Sequence, residues 1–217
     1  MKKACIFDLD GTLTDTLATL AYFVNSCLAK YGIEKIEKER FKYLAGDGAR
    51  NLIKRSLALR LDSWDMDFEN KILTEYNTAY DADFMHLCSV YDGIPDLLEA
   101  LKAKKIKLAV LTNKPQSTAR KTVETFLGKT TFDIILGQGN RFPIKPDPSA
   151  CLEIMRELKV LSEDCLYIGD TATDMKTGTN AKCFTVGVLW GFRERKELEE
   201  AAADAIIEKP EELLNFI

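Results

Sequence analysis

Ala4-Cys5-Ile6-Phe7-Asp8-Leu9-Asp10-Gly11-Thr12-Leu13-Thr14-Asp15 is the stretch from which this chain is read. Its apolar run, Ala4 to Phe7, is short and closes on a turn signal, the pattern of a buried strand. Two aspartates spaced two apart follow at once, then Gly-Thr. Residues two apart on an extended chain face the same way, so Asp8 and Asp10 are predicted to emerge together where the strand ends. Two carboxylates that close repel, and both ionise comfortably only beside a cation. Hard oxygen ligands suit Mg2+. Gly11 lets the backbone turn and lets a ligand approach closely. The same residues also admit an ordinary Asp-Gly turn, so the segment gains meaning from what lies downstream.

Downstream, three more loops hold polar groups at predicted strand exits. Ile106 to Leu111 form a β-rich run that ends in Thr112-Asn113-Lys114. Ile144-Lys145-Pro146-Asp147-Pro148 follows a short strand at Phe132 to Leu136. Gly169-Asp170-Thr171-Ala172-Thr173-Asp174 follows a strand at Cys165 to Ile168. Each has a structural reading as well. Thr112 and Asp170 are candidate helix caps, and Lys145 alone is one more lysine. The Gly-Asp of the last segment repeats the logic of the first.

Between these loops the pattern is helical: about 94–101, 115–127, 151–158 (capped by Asp147, with Pro148 in its first turn) and 173–181. Cys183 to Val188 and Ala205 to Ile207 read as further strands, and Glu194 to Ala203 as a solvated helix face with room for a loop. Strands alternating with helices predict an α/β fold, a doubly wound parallel sheet of Rossmann-like form. Ligands of such sheets sit at the carboxyl ends of the strands. Leu17, Leu20, Ala21, Val24, Leu28 and Tyr31 recur at helical spacing up to Gly32, and residues near 36 to 82 are purely helical in pattern. This block interrupts the sheet after its first strand. The expected division is a core of residues 1–14 and 85–217 with an all-helical insertion at 15–84.

Bulk composition narrows the function. The chain has 217 residues, 46% of them apolar, enough for one core and a smaller appended domain. Thirty-four acidic and 30 basic residues leave a net charge of −4, and no long basic run offers a nucleic-acid backbone a surface. Met1-Lys2-Lys3 opens like a signal peptide, but Asp8 and Asp10 break the apolar run too early. No stretch approaches a membrane span. Six scattered cysteines without a Cys-x-x-Cys pair read as reduced core thiols of a cytoplasmic protein. His86 is the only histidine, which excludes multi-histidine zinc sites and speaks against a histidine triad. Carboxylates and lysines are left to carry any chemistry.

The four loops, in this order and with a helical insertion after the first, resemble the motifs of the haloacid dehalogenase-like hydrolase superfamily. The resemblance spans nearly the whole chain and is nearest to its phosphoglycolate phosphatase-like enzymes with a small helical cap. It implies a phosphatase acting on a small phosphorylated metabolite. Asp8 would attack phosphorus and form an aspartyl phosphate. Asp10 would protonate the leaving oxygen and later activate water. Asp8, Asp170 and the backbone carbonyl of Asp10 would ligate Mg2+, with Asp174 supporting the metal or orienting Lys145. Lys145 would share the phosphoryl charge with the metal. Thr112, the N–H of Asn113 and backbone N–H groups after Asp8, at Leu9 and Gly11, would hold the phosphate. Ala45-Gly46-Asp47-Gly48-Ala49-Arg50 resembles the loop that such caps present to substrate, where Arg50 would meet an anion; a helix–helix turn explains it too.

Departures from other branches are informative. Haloacid-cleaving members lack the second aspartate that Asp10 supplies. Mutases of the superfamily usually carry Glu-Asp where Gly169-Asp170 stands. Lys54 lies in the insertion, but nothing recommends it as the imine-forming lysine of phosphonate cleavage. The alternatives are a sugar-phosphate mutase or pyrophosphatase of the same superfamily, a receiver-type signalling domain, and a phospho-ligand-binding protein without turnover. No nucleic-acid or membrane partner is expected, and the chain is read as a monomer or homodimer.

Overall fold

The computed structural model describes residues 2–217. Six parallel strands form the main sheet: β1 (Ala4–Phe7), β4 (Lys107–Pro115), β5 (Ile134–Gln138), β6 (Cys165–Gly169), β7 (Phe184–Val188) and β8 (Ala205–Ile207). Their spatial order is β5-β4-β1-β6-β7-β8, and every neighbouring pair is parallel. Strand order reverses at β1, the doubly wound arrangement. Helices α5 (Ile94–Ala103), α6 (Gln116–Phe126), α7 (Ser149–Leu158), α8 (Ala172–Asn180) and α9 (Arg195–Glu200) flank it.

β1 is central, and period-two alternation sends its side chains into two separate cores. Cys5 and Phe7 join Leu97, Leu98, Leu101, Val110 and Val123 on one face. Ala4 and Ile6 join Cys151, Ile154, Met155 and Tyr167 on the other. A strand buried on both faces has no polar positions until it ends, which is why the run from Ala4 to Phe7 contains none. Phe7 meets Phe132 edge to face at 6.4 Å between ring centroids. Burying a side chain of that size contributes about 1.5–3 kcal/mol.

The chain divides into two compact units. One comprises Met1–Asp15 with Ser89–Ile217, the other Thr16–Cys88. The second is helical: α1 (Leu17–Ala29), α2 (Phe41–Leu44), α3 (Ala49–Ala58) and α4 (Met66–Ala82). Its interior holds Val24, Leu28, Ile36, Phe41, Ile53, Leu57 and Ile72. Helix α1 closes with Gly32 at φ +68°, where the N–H of Ile33 returns to the carbonyl of Leu28, a glycine stop of the expected kind.

Some elements differ from the sequence reading. β4 runs on through Thr112, Asn113 and Lys114 to Pro115, with a shift of register between Leu111 and Pro115, so these residues lie in the strand's irregular end. Two short strands, β2 (Thr14–Asp15) and β3 (Ser89–Val90), pair antiparallel beside the junctions between the units; two-residue strands leave no periodicity to read. Helix α7 begins at Ser149, not Pro148, and Asp147 Oδ1 accepts from the N–H of Ser149 at 2.9 Å. In α9 only Leu198 is fully buried, and the helix ends at Glu200. All six cysteines are free, five of them buried. Among the described residues no helix is long and apolar enough to cross a membrane.

Candidate active site

The carboxyl ends of the three central strands, β4, β1 and β6, lie side by side, and each delivers polar residues at its last turn of chain. Asp8 follows β1 directly, its N–H donating to the carbonyl of Ile168 on β6 at 2.9 Å. This ties the first aspartate to the strand that carries Asp170. Gly11 turns the chain at φ +89°. A Cβ there would lie 2.3 Å from Asp170 Oδ2, so glycine is required for clearance as well as for the dihedral. The Gly11 N–H donates to Thr14 O at 2.8 Å.

Asp8, Asp170 and Asp174 are buried and form one acidic group, with a carboxylate oxygen of each within 4.8 Å of the others. Lys145 is only 3% exposed. Its Nζ lies 2.8 Å from Asp8 Oδ1 and donates to Asp174 Oδ1 at 2.7 Å. The other oxygen of Asp174 accepts from the N–H and hydroxyl of Thr171 at 3.1 and 2.7 Å, closing a capping box on α8. Asp170 accepts from Thr12 Oγ1 at 3.1 Å and from the N–H of Phe192 at 2.8 Å. Gly169 precedes it because a Cβ there would stand 2.2 Å from the Cβ of Asp174.

Three carboxylates around one ammonium leave this interior with excess negative charge. Burial pushes Asp8 up to about 7; Lys145 pulls it down, while Asp174 and Asp10 raise it further. Burial, then the charges of Asp174 and Asp8, hold Asp170 well above the usual carboxylate range. For Lys145 burial favours loss of the proton, but Asp174 and Asp8 outweigh it and keep the ammonium well above an ordinary lysine. Carboxylates raised in this way are a site in want of a cation. The donor set is all oxygen, the chemistry of a hard divalent ion, and the residues fit one.

Asp8 and Asp10 have different partners, Lys145 for the first and Lys114 for the second. The chain turns between them: Leu9 enters the core, and Asp10, its side chain 21% exposed, pairs with Lys114. Lys114 Nζ donates to both Asp10 oxygens, at 2.9 and 3.1 Å. The side chain of Asp10 is not in the acidic group. Thr112 is buried and its hydroxyl accepts from the N–H of Lys114 at 3.2 Å. The side chain of Asn113 brackets the backbone of Lys145: Oδ1 accepts its N–H at 2.8 Å and Nδ2 donates to its carbonyl at 3.3 Å. Arg50 belongs to the helical unit, on α3 rather than on a loop, and is 57% exposed. It donates to Glu69 at 3.2 Å and Asn70 at 3.0 Å.

A fifth loop, residues 189–194 after β7, also reaches this site and was not assigned from sequence. Trp190 Nε1 donates to the carbonyl of Thr12 at 2.9 Å. Gly191 passes so close that a Cβ would lie 2.3 Å from both Asp170 Cβ and Gly11 O. Arg193 pairs with Glu197 at 3.0 Å, and the other oxygen of Glu197 accepts from the N–H of Ala172 at 3.0 Å. The available signal was positional: Trp190-Gly191 follows a strand exit at the same sheet end as the other four loops.

The sequence profile of the haloacid dehalogenase-like hydrolases matches residues 5–188. Phosphoglycolate phosphatase 1 of Pseudomonas aeruginosa is 30% identical over 99% of this chain and 79% of its own length. Phosphoglycolate phosphatase of Haemophilus influenzae is 30% identical, covering 97% of this chain and 96% of that protein. A crystal structure of a candidate phosphoglycolate phosphatase from Lactobacillus delbrueckii subsp. bulgaricus superposes with a TM-score of 0.94, at 30% identity and with 100% and 99% of the two chains covered. The chain belongs to the haloacid dehalogenase-like hydrolases and stands in their phosphoglycolate phosphatase-like subgroup.

Proposed function

We propose that this hydrolase is a Mg2+-dependent phosphatase, a phosphoric monoester hydrolase that cleaves a small phosphate ester through an aspartyl phosphate on Asp8. One observation carries the reading: Asp8 ends the central strand in contact with buried Lys145, with carboxylate oxygens of Asp170 and Asp174 within 4.8 Å. A nucleophilic carboxylate, a cation-binding pair and a phosphoryl-directed ammonium are the parts that phosphoryl transfer requires.

In the first step a carboxylate oxygen of Asp8 bonds to phosphorus as the ester P–O bond breaks, and Asp10 passes its proton to the departing oxygen, which leaves as an alcohol. In the second, Asp10 takes a proton from water as that water's oxygen attacks phosphorus. The bond to Asp8 breaks and inorganic phosphate departs. Lys145 counters charge on the phosphoryl oxygens, and Asp174 aims Lys145. Thr112 and the N–H groups of Asn113 and Leu9 are assigned to hold the phosphate, while Gly11 clears space for Asp170. Asp8, Asp170 and the backbone carbonyl of Asp10 would hold Mg2+, with Asp174 behind them; when bound, the ion withdraws charge from the transferring group. The helical unit is read as the cap that selects substrate, with Arg50 as its anion-facing residue. The relatives' names make phosphoglycolate the first ester to try.

The test is hydrolysis of p-nitrophenyl phosphate and of a panel headed by phosphoglycolate, with Mg2+ and with EDTA. The expected result is release that EDTA abolishes and Mg2+ restores, together with a hydroxylamine-labile phosphoryl label lost in Asp8→Asn. Release indifferent to EDTA, or a label that persists in that variant, sinks the mechanism.

A further inference from the structure

The mechanism above gives Lys145 a task and leaves the second buried lysine of the site without one. Lys114 has a side chain only 5% exposed, and its Nζ donates to both oxygens of Asp10. A buried ammonium is costly unless its charge is met, and here the carboxylate that meets it is the group assigned to proton transfer. We propose that Lys114 is the positioning residue for Asp10: it sets the rotation of that carboxylate so that one oxygen faces the ester oxygen being expelled. This rests on the reading of Asp10 given above.

The placement of Lys114 is built from both sides. Its N–H donates to the hydroxyl of Thr112, and its carbonyl packs against Gly137 of β5, where a Cβ would come within 2.7 Å. The irregular end of β4, between Leu111 and Pro115, is what carries the side chain to Asp10. On the other partner, Asp10 sits at a turn held by a bridge to Thr14, so its backbone is fixed while a bare carboxylate would remain free to rotate about its side-chain bonds. A fork of two hydrogen bonds removes that freedom. When Asp10 carries the proton, one oxygen keeps its bond to Lys114 and the other presents the O–H; when Asp10 has given it up, both oxygens are held again. Each aspartate of the pair then has its own lysine, Lys145 for the nucleophile and Lys114 for the proton carrier. Proton transfer is sensitive to misplacement of this kind, and general acid catalysis contributes about 10²–10⁴-fold.

The experiment measures kcat and KM, with Mg2+ present, for p-nitrophenyl phosphate and for an alkyl phosphate, β-glycerophosphate. Nitrophenolate departs without a proton, whereas the alkoxide needs one. Wild type, Lys114→Met, Lys114→Arg, Asp10→Asn and the double variant Asp10→Asn with Lys114→Met are compared. Lys114→Met is expected to lower kcat for the alkyl ester by about 10²-fold and for the nitrophenyl ester less than about threefold, at little change in KM. Arginine, which keeps two donors, is expected to restore most of the alkyl ester rate. Adding Lys114→Met to Asp10→Asn is expected to cost almost nothing more, since the two act as one unit. Equal losses on both esters overturn the assignment, as does a rise in KM alone, which would make Lys114 a contact for the substrate anion. Lys114→Gln carries the same test if the Met variant folds poorly, with a loss confined to the alkyl ester supporting the proposal and an equal loss on both esters refuting it. A wild-type chain inert on both esters would overturn the phosphatase reading and this assignment together.

Discussion

Burial is what makes Asp8 unusual. Its folded-state value, about 7, lies above the ordinary carboxylate range of about 4. A carboxyl raised on folding favours the native state fully below about pH 4, and that contribution is lost as pH rises toward 7. Replacing Asp8 by Asn removes the dependence. In EDTA, the melting temperature of Asp8→Asn relative to wild type is therefore expected to climb between pH 4 and 7; a difference flat across that window would contradict it. The same substitution leaves the shape intact but deletes the proposed nucleophile, and kcat with Mg2+ is expected to fall at least about 10³-fold. Lys145 is held between Asp8 and Asp174, so Lys145→Met leaves those carboxylates without their ammonium. It is expected to destabilise the fold by about 3–5 kcal/mol, read from denaturant unfolding.

At the scale of elements, the site depends on strand ends that stop in register. Gly11 and Gly191 press on Asp170 from two loops. Gly11→Ala combines a left-handed dihedral with an overlap against Asp170, and is expected to cost about 1–3 kcal/mol while depressing Mg2+-dependent turnover; unfolding curves and kcat together check both. Asn113 ties the end of β4 to the loop carrying Lys145 by two side-chain hydrogen bonds to its backbone. Asn113→Ala is expected to destabilise by about 1–3 kcal/mol and to lower kcat about tenfold by loosening Lys145. A variant with wild-type kcat would show that the clip is dispensable. Loop 189–194 belongs to the same logic, since Trp190 and Phe192 donate to Thr12 and Asp170 across the sheet.

For the whole molecule, a ligand that binds only the folded state adds stability by mass action. Mg2+ at a hundredfold excess over its Kd is expected to add about 2.7 kcal/mol, seen as a rise in melting temperature. Because Asp8, as a proposed ligand, would have to lose its proton to bind the ion, the rise is expected to be larger at pH 8 than at pH 6. Asp170→Asn, which halves the proposed carboxylate pair, is expected to abolish it. A Mg2+ shift of equal size at both pH values would place the ion elsewhere.

Strand β1 and the aspartates after it could be read from the chain alone, because a doubly buried strand admits no polar residue before its end and a glycine must follow where the backbone turns. Asp170 was legible likewise as the first carboxylate after a buried strand, whereas Gly169 before it answers to the closeness of Asp174. Alternation of strands and helices was enough for the parallel sheet, and a purely helical run enough for the inserted unit. Pairings across distance were not legible. Lys114 meets Asp10 across 104 residues, and Asp8 and Asp10 take different lysines, Lys145 and Lys114, that distant segments bring to them. Asn113 bracketing Lys145, Glu197 reaching Ala172, and Trp190 reaching Thr12 all arise only when strands are laid side by side. Local patterns encode the conformation of a segment; which charge faces which is set by the packing of segments that the sequence keeps far apart.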